Sequence, residues 1–243
     1  MISLKNHVLT TIQQVIGLKQ SQSDFIPARE SALFIALFDW YVRFLFRRRF
    51  HRVWLQQRYD PGENGKTIYY LNHTSWWDGL IPLLLNRKRF RQNARAMMED
   101  KQMKQHGFFK KIGAFSVTPD NPRSVIKSLR YAVKSLDRPN SSLFIYPEGR
   151  IVPFTNNHLT FQKGLAWIAE KRQDTEVVPI GIYFNYAKSD KPELFIKIGD
   201  SVEYKSDDNT ESLNSLFEQH LMKLLAEIKE EAHTPNHTFH RFI

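Results

Sequence analysis

The sequence contains no cysteine among its 243 residues. This absence excludes disulfide bonds, cysteine-ligated zinc, iron–sulfur clusters and a thiol nucleophile. The chain also lacks a long uncharged apolar run. The densest one, residues 32–46, includes Asp39 and Arg43, whereas a membrane-spanning helix needs about 20 nearly uncharged residues. We therefore predict no transmembrane helix.

A secretion signal is absent as well, since residues 1–19 show no apolar segment followed by small residues at a cleavage site. We therefore expect the protein to be cytoplasmic. With 42% hydrophobic residues the chain can bury a core, and its length supports one large domain or two small ones. We divide it into an N-terminal helical, membrane-associating segment, residues 1–50, and a folded domain over residues 51–243.

Acidic side chains are scarce in two segments of this chain, whose formal charge is +10. Residues 43–59 hold six Arg and no acid, and residues 87–111 hold nine basic side chains against two acids. Basic surfaces attract polyanions, and nucleic acid and anionic lipid headgroups are the usual candidates. The sequence shows no RNA-binding aromatic pattern, Cys/His finger or heptad-backed basic region, so we expect no nucleic-acid partner.

The apolar residues 32–46 lead directly into the first cationic segment. Six of these 15 residues are aromatic. An interfacial helix of this composition would place its aromatic rings at headgroup depth and its Arg side chains on lipid phosphates. A core helix with a solvated basic end fits the segment equally well, so both interpretations stay open. The first one predicts a peripheral protein on the inner face of an anionic membrane.

Beyond residue 50, short β-rich segments alternate with amphipathic helical ones. The strand pattern covers Thr67–Leu71 and residues 94–98, 143–146, 177–184 and 194–198. The helical pattern covers residues 124–136, 161–172 and 211–231. This alternation predicts an α/β fold with a central, mostly parallel β-sheet covered by helices. Ligands of such sheets bind beyond the carboxyl ends of the strands.

A histidine and a carboxylate lie in the polar turn after the first of these strands. His73 follows the strand, and Asp78 lies five residues later, before the apolar residues 80–85. A regular helix would point these two side chains about 140° apart, so a contact requires a turn, for which Thr74 and Ser75 are suitable. A His held by an Asp can act as a general base. The spacing by itself carries little information, because it also arises by chance.

A second polar loop follows the strand at residues 143–146. Its sequence is Pro147-Glu148-Gly149-Arg150. As an ordinary loop, its proline would end the strand pairing and its glycine would permit an unusual backbone angle. As a site, Arg150 would offer a fork for phosphate or carboxylate, and Glu148 would accept hydrogen bonds from substrate hydroxyls.

Taken together, these segments resemble the glycerophospholipid acyltransferase family. The first block of the family, N-H-x4-D, matches Asn72, His73 and Asp78, and the third, F-P-E-G-T-R-S, matches residues 147–149. The fourth block, an apolar strand with a central V-P, matches residues 178–180. The blocks occur in the same order as in the family, and this ordered co-occurrence is far more specific than any single block.

The sequence departs from the family pattern at two positions. In the second block, G-x-x-F-x-x-D-R, Thr118 and Pro119 replace the Asp-Arg pair, and Arg123 is the nearest candidate for the missing arginine. In the third block, Arg150 follows Gly149 directly, without the intervening Thr. The family associates both positions with the phosphate of the acyl acceptor. The departures therefore favour, as an alternative, an acceptor without phosphate, such as a lyso-aminolipid or a glycolipid.

The resemblance implies an enzyme that moves a fatty acyl group from acyl-CoA or acyl carrier protein to the hydroxyl of a lysolipid such as 1-acylglycerol-3-phosphate. His73 would be the general base and Asp78 would orient its ring, without an acyl-enzyme. Residues 148–150 and Arg123 would bind the substrate. No cofactor or metal is required, since the acyl thioester is a co-substrate. A non-catalytic membrane-binding protein on the same fold is the alternative from a different class.

Three further histidines, His233, His237 and His240, lie near the C-terminus. Such a cluster can indicate a metal site, but Pro235 would interrupt any helix that aligned them. We therefore predict a frayed tail here and no metal centre.

Overall fold

The structure is a computed structural model that describes residues 25–153, 158–187 and 189–243. The first 24 residues of the expected N-terminal segment thus lie outside the described residues. The strands are β1 (Arg52–Gln57), β2 (Thr67–Leu71), β3 (Asn93–Glu99), β4 (Ala114–Val117), β5 (Ser141–Ile145), β6 (Glu176–Asn185), β7 (Glu193–Ile198) and β8 (His240–Arg241). The α-helices are α1 (Ala32–Arg49), α2 (Ile81–Leu85), α3 (Asp100–Gln105), α4 (Pro122–Ser135), α5 (Gly164–Lys171) and α6 (Thr210–Ala232).

All eight strands form one mixed sheet in the order β4-β3-β5-β2-β6-β7-β1-β8. The five strands from β4 to β6 pair in parallel, whereas β7 runs antiparallel to β6. All five residues of β2 are buried, as expected for a central strand covered by helices on both faces. The predicted α/β fold with a mostly parallel sheet is confirmed.

The predicted strands and helices correspond to elements of the structure, with ends shifted by at most three residues. Three strands were not among those predicted: β1, β4 and the two-residue β8 of the C-terminal tail. Of these, β1 lies within the arginine-rich segment and β4 has four residues, so neither contains a long β-branched run. The cationic residues 43–59 are consequently divided between the end of α1 and the strand β1.

The C-terminal tail is packed, so the prediction of a frayed tail is wrong. The strand β8 pairs antiparallel with β1, and the Phe242 amide donates to the Val53 carbonyl at 2.7 Å. Phe239 and Phe242 are buried in the two cores on either side of the sheet. They are three residues apart, and an odd spacing along a strand places two side chains on opposite faces of the sheet. Among the described residues, no group of three or more His, Cys, Asp and Glu side chains could hold a metal ion.

The helix α1 buries one face and exposes the other. Val42 and Phe46 pack in the core, and Ser31 caps the first turn by accepting from the Phe34 amide. The opposite face carries exposed large apolar side chains: Leu33, Leu37, Trp40, Tyr41 and Phe44. The segment therefore combines a core-packing face with an exposed apolar face. Within the part of the chain that the structure describes, no helix is long and apolar enough to cross a membrane.

Candidate active site

The register of two neighbouring strands brings the two predicted polar segments together. In the parallel pair β2 and β5, Tyr70 lies opposite Ile145. His73 and Glu148 each follow three residues later, so both leave the carboxyl edge of the sheet at the same level. This is the edge at which α/β sheets bind their ligands.

His73 and Asp78 are in contact, as the sequence predicted for a turn. His73 Nδ1 lies 3.2 Å from Asp78 Oδ2, and the two side chains are 20% and 0% exposed. Because an ionised carboxylate only accepts hydrogen bonds, Nδ1 carries the proton of the neutral ring. The other nitrogen, Nε2, is then an acceptor, which is the form required of a general base.

The Asp78 carboxylate also organises the turn that contains it. Its Oδ2 accepts from the Thr74 and Ser75 amides at 2.6 and 2.7 Å, and its Oδ1 accepts from the Ser75 hydroxyl at 2.8 Å. A one-turn 3₁₀ helix, Trp76–Leu80, follows directly and folds Asp78 back towards His73. These donors compensate the buried charge of Asp78 and explain how a spacing of five residues yields a contact.

Asn72 determines where the chain leaves the sheet. Its side chain is buried and makes two hydrogen bonds with the backbone of Ile182, one donated at 2.9 Å and one accepted at 2.8 Å. The last ladder pair of β2 and β6 is Leu71 with Ile180. The Asn72 side chain thus takes the place of backbone pairing with β6 where the chain turns away from the sheet. This anchors the backbone directly before His73.

The loop after β5 holds the backbone of His73 from both sides. The His73 amide donates to Glu148 Oε2 at 3.3 Å, and the Val152 amide donates to the His73 carbonyl at 2.7 Å. Burial raises the pKa of Glu148 above its usual value, against the opposing effects of the His73 hydrogen bond and the Arg150 charge. The sequence assigned Glu148 to substrate hydroxyls and did not predict its contact with His73.

Gly149 occupies a backbone conformation that side chains disfavour. Its φ is +69°, in the left-handed region, and its amide donates to the Tyr146 carbonyl at 3.0 Å. A Cβ placed here would find Gln162 Cγ at 3.5 Å, an ordinary contact, so the backbone angle rather than space requires glycine. The tight turn allows Glu148 to point back to His73.

Tyr146 is a site residue that the sequence analysis missed. Its ring centroid lies 4.5 Å from that of His73, and its hydroxyl donates to the Asp78 carbonyl at 2.6 Å. Burial raises the pKa of Tyr146 well above its usual value, so the hydroxyl remains a donor. Tyr146 therefore joins both members of the His–Asp pair. The signal in the sequence was its place at the strand end, directly before Pro147.

Arg150 and Arg123 lie at the same edge of the sheet. Arg150 is exposed two residues beyond Glu148, and Arg123 is exposed in the first turn of α4, which follows β4. One strand, β3, separates β4 from β5, a distance of about 10 Å between the outer two strands. The structure thus brings His73, Asp78 and Glu148 into one cluster, with Arg150 beside it and Arg123 farther along the same edge of the sheet.

Comparison with known proteins gives a family and a fold. The sequence model of the family described as Acyltransferase matches residues 25–183, a range that contains every predicted site residue. The crystal structure of the 1-acyl-sn-glycerophosphate (LPA) acyltransferase PlsC from Thermotoga maritima is similar in fold, with a TM-score of 0.58 and 22% sequence identity over 80% of each chain. No curated protein sequence matches this chain.

Proposed function

We propose, from the premise that the chain belongs to the acyltransferase family, that it moves a fatty acyl group from an acyl thioester to the hydroxyl of a lysolipid. As a member of this family the protein is an enzyme, so the non-catalytic alternative is set aside. The observation that carries the proposal is the contact of His73 Nδ1 with Asp78 Oδ2 at the carboxyl edge of the sheet. Acyl-CoA and acyl carrier protein are the proposed donors.

In the proposed mechanism, His73 Nε2 removes the proton of the acceptor hydroxyl as its oxygen attacks the thioester carbonyl. Asp78 stabilises the imidazolium that forms. The tetrahedral intermediate then expels the thiolate, which takes the proton from His73, so that the products are an ester and a free thiol. General-base assistance contributes about 10²–10⁴-fold, and positioning of the two substrates supplies much of the remainder.

The proposed acceptor is a lysolipid with a phosphate, such as 1-acylglycerol-3-phosphate. Arg150 supports this proposal, because it is an exposed cation whose charge acts on Glu148, a contact of His73. Arg123 is an exposed cation farther along the same edge of the sheet. A guanidinium holds phosphate through two parallel hydrogen bonds that an ammonium group cannot reproduce. A lyso-aminolipid or glycolipid acceptor remains the second candidate, favoured by the departures of these two arginines from the family pattern.

Replacing Arg150 by Lys is expected to raise the KM for lysophosphatidic acid about tenfold while leaving the donor KM nearly unchanged, because one charge-assisted hydrogen bond is lost. Arg123→Lys should act in the same direction. Arg91→Lys is the matched control, since Arg91 is exposed at the opposite edge, before β3. Steady-state kinetics over a panel of phosphate and non-phosphate lysolipids provide the measurement. Active variants with an unchanged acceptor KM would favour the second candidate.

The exposed face of α1 supports a proposed site of action on the inner face of an anionic membrane. Leu33 and Trp40 are 73% and 70% exposed on this face, and Arg47, Arg48 and Arg49 are exposed at its end. Trp77, within the catalytic turn, meets the same end of the helix, because the Arg49 guanidinium lies 5.9 Å from its ring. A bilayer that holds α1 would therefore lie close to the turn that carries His73 and Asp78.

Replacing Arg47, Arg48 and Arg49 together by Gln is expected to weaken binding to anionic vesicles and to reduce its salt dependence. Each Arg near an anionic surface contributes about 1 kcal/mol, screened over about 8 Å at physiological salt. Binding to neutral vesicles should change little, since the apolar face is retained. Sedimentation with anionic and with neutral vesicles, over a range of salt concentrations, measures these changes.

The matched control replaces three exposed lysines elsewhere, Lys205, Lys223 and Lys229, by Gln. It should bind anionic vesicles as tightly as the wild type does, because the position of the arginines on α1, and not the net charge of the protein, causes the binding. If wild type ignores anionic vesicles at low salt, or if the arginine variant binds as tightly as wild type, α1 is a packed helix with a solvated end.

A further inference from the structure

The helix α4 carries a line of four cations on its exposed face. Arg123, Lys127, Arg130 and Lys134 follow one another at steps of four, three and four residues, and all four are exposed. At 100° per residue they lie within about 60° of the helix circumference, and they extend over about 17 Å along the axis. Ile126, 48% exposed, borders this line on one side. We call these five residues the α4 surface.

Nothing in the described part of the chain neutralises this surface. None of its four cations forms an ion pair with a described residue, and Lys127 Nζ contacts only a ring, that of Phe25 at 5.3 Å. The acid nearest the C-terminal end of the line, Asp137, is paired with Arg172. Like charges three and four residues apart destabilise a helix, so the arrangement does not serve the stability of α4.

The helix α6 shows the contrasting arrangement. Its cation Lys223 precedes Glu227 by four residues, and Glu227 pairs with Arg58 and with the buried Lys197. Charges of both signs are thus interspersed along α6, as is usual for a solvated helix. The single sign of the charges on α4 indicates a surface that meets an acidic partner.

The position of α4 relates this surface to the proposed site. The helix begins directly after β4, at the carboxyl edge where His73 lies, and Arg123 marks that end of the line. Three inter-strand spacings separate β4 from β2, about 14 Å along the edge. A partner seated on α4 would therefore deliver a group to His73 only through an extended arm that follows the edge.

A bilayer fits α4 less well than it fits α1. The α1 face exposes five large apolar side chains, whereas the exposed large apolar residue of the α4 surface is Ile126 alone among those described. Insertion into a bilayer needs a broad apolar face, whereas a protein interface needs complementary charge around a small apolar contact. A line of cations about as long as a short helix is complementary in charge to an acidic helix on the surface of a partner protein.

We infer that the α4 surface is the docking site of an acyl carrier protein, a small acidic protein that bears the acyl chain as a thioester on a flexible arm. The inference rests on the proposed function and extends it by naming the acyl donor and the place where it binds. The arm reaches along the edge of the sheet from α4 to His73, while the carrier protein itself stays outside the site.

The test compares two donors that carry the same acyl chain, palmitoyl acyl carrier protein and palmitoyl-CoA, with lysophosphatidic acid as acceptor. The full-length variant Lys127→Glu, Arg130→Glu and Lys134→Glu spares Arg123, which belongs to the proposed acceptor site. The matched control is Lys205→Glu, Lys223→Glu and Lys229→Glu, which changes the net charge equally. Thermal unfolding establishes that both variants are folded.

For the α4 variant, kcat/KM for the carrier-protein donor should fall at least about tenfold, and kcat/KM for palmitoyl-CoA should change less than about twofold. The control should resemble wild type with both donors. Equal losses with both donors, a control that loses as much as the α4 variant, or a wild type that uses only palmitoyl-CoA would overturn the inference and leave the proposed function intact. A wild type inactive with both donors over the whole acceptor panel would overturn the proposed function as well.

Discussion

Replacing His73 by Ala is expected to abolish acyl transfer while leaving the fold intact. The loss in kcat should be about 10²–10⁴-fold or more, because the acceptor hydroxyl then has no base beside it. The structure explains why the protein should stay folded. The contacts of position 73 with Glu148 and Val152 are made by its backbone amide and carbonyl, which alanine retains.

The measurement is thiol release under saturating donor and acceptor, together with the midpoint of thermal unfolding. His220→Ala is the matched control, since His220 is an exposed histidine in the middle of α6 and not in a loop at the strand ends. The control should retain wild-type turnover. A folded His73→Ala enzyme with near-wild-type kcat would show that His73 is not the base.

Replacing Asp78 by Asn should reduce kcat by a similar factor, about 10²–10⁴-fold, through a different cause. Asn is nearly the same size and can keep an oxygen towards the Thr74 and Ser75 amides, but it cannot stabilise the imidazolium that forms on His73. In the flipped orientation the amide would instead present its NH₂ group to Nδ1 and select the wrong tautomer of the ring, with loss of the Thr74 and Ser75 hydrogen bonds.

Because Asp78 is fully buried and accepts several hydrogen bonds, this variant is also expected to be less stable than wild type. Kinetics are therefore measured well below its unfolding midpoint. If Asp78→Asn turned over at the wild-type rate, the orientation of His73 would not depend on this carboxylate.

The sequence predicted the fold and the His–Asp contact because both depend on local patterns. Thr67–Leu71 reads as a buried strand and is one, and Ser75 begins the turn that brings Asp78 back to His73. The ordered blocks correctly indicated the acyltransferase family. Patterns of this kind are visible in a single sequence because they involve neighbours along the chain.

The contacts that hold the site in place could not be predicted, because they join distant residues. The Val152 amide meets the His73 carbonyl, and Asn72 meets Ile182, only because strand order and register bring them together. The docking of Phe242 against Val53 was missed for the same reason. The sequence indicates the candidate site residues, whereas the sheet determines which backbone atoms hold them.

The most direct test of the account follows thiol release and lipid ester formation in one reaction, with wild-type enzyme, a single acyl thioester, and lysophosphatidic acid present or absent. The account predicts that thiol and ester appear in equal amounts and that thiol release requires the lysolipid, because the acceptor hydroxyl, deprotonated by His73, attacks the thioester directly. The account would be contradicted if thiol were released equally fast with and without the lysolipid. It would also be contradicted if no lysolipid of the panel led to consumption of the thioester.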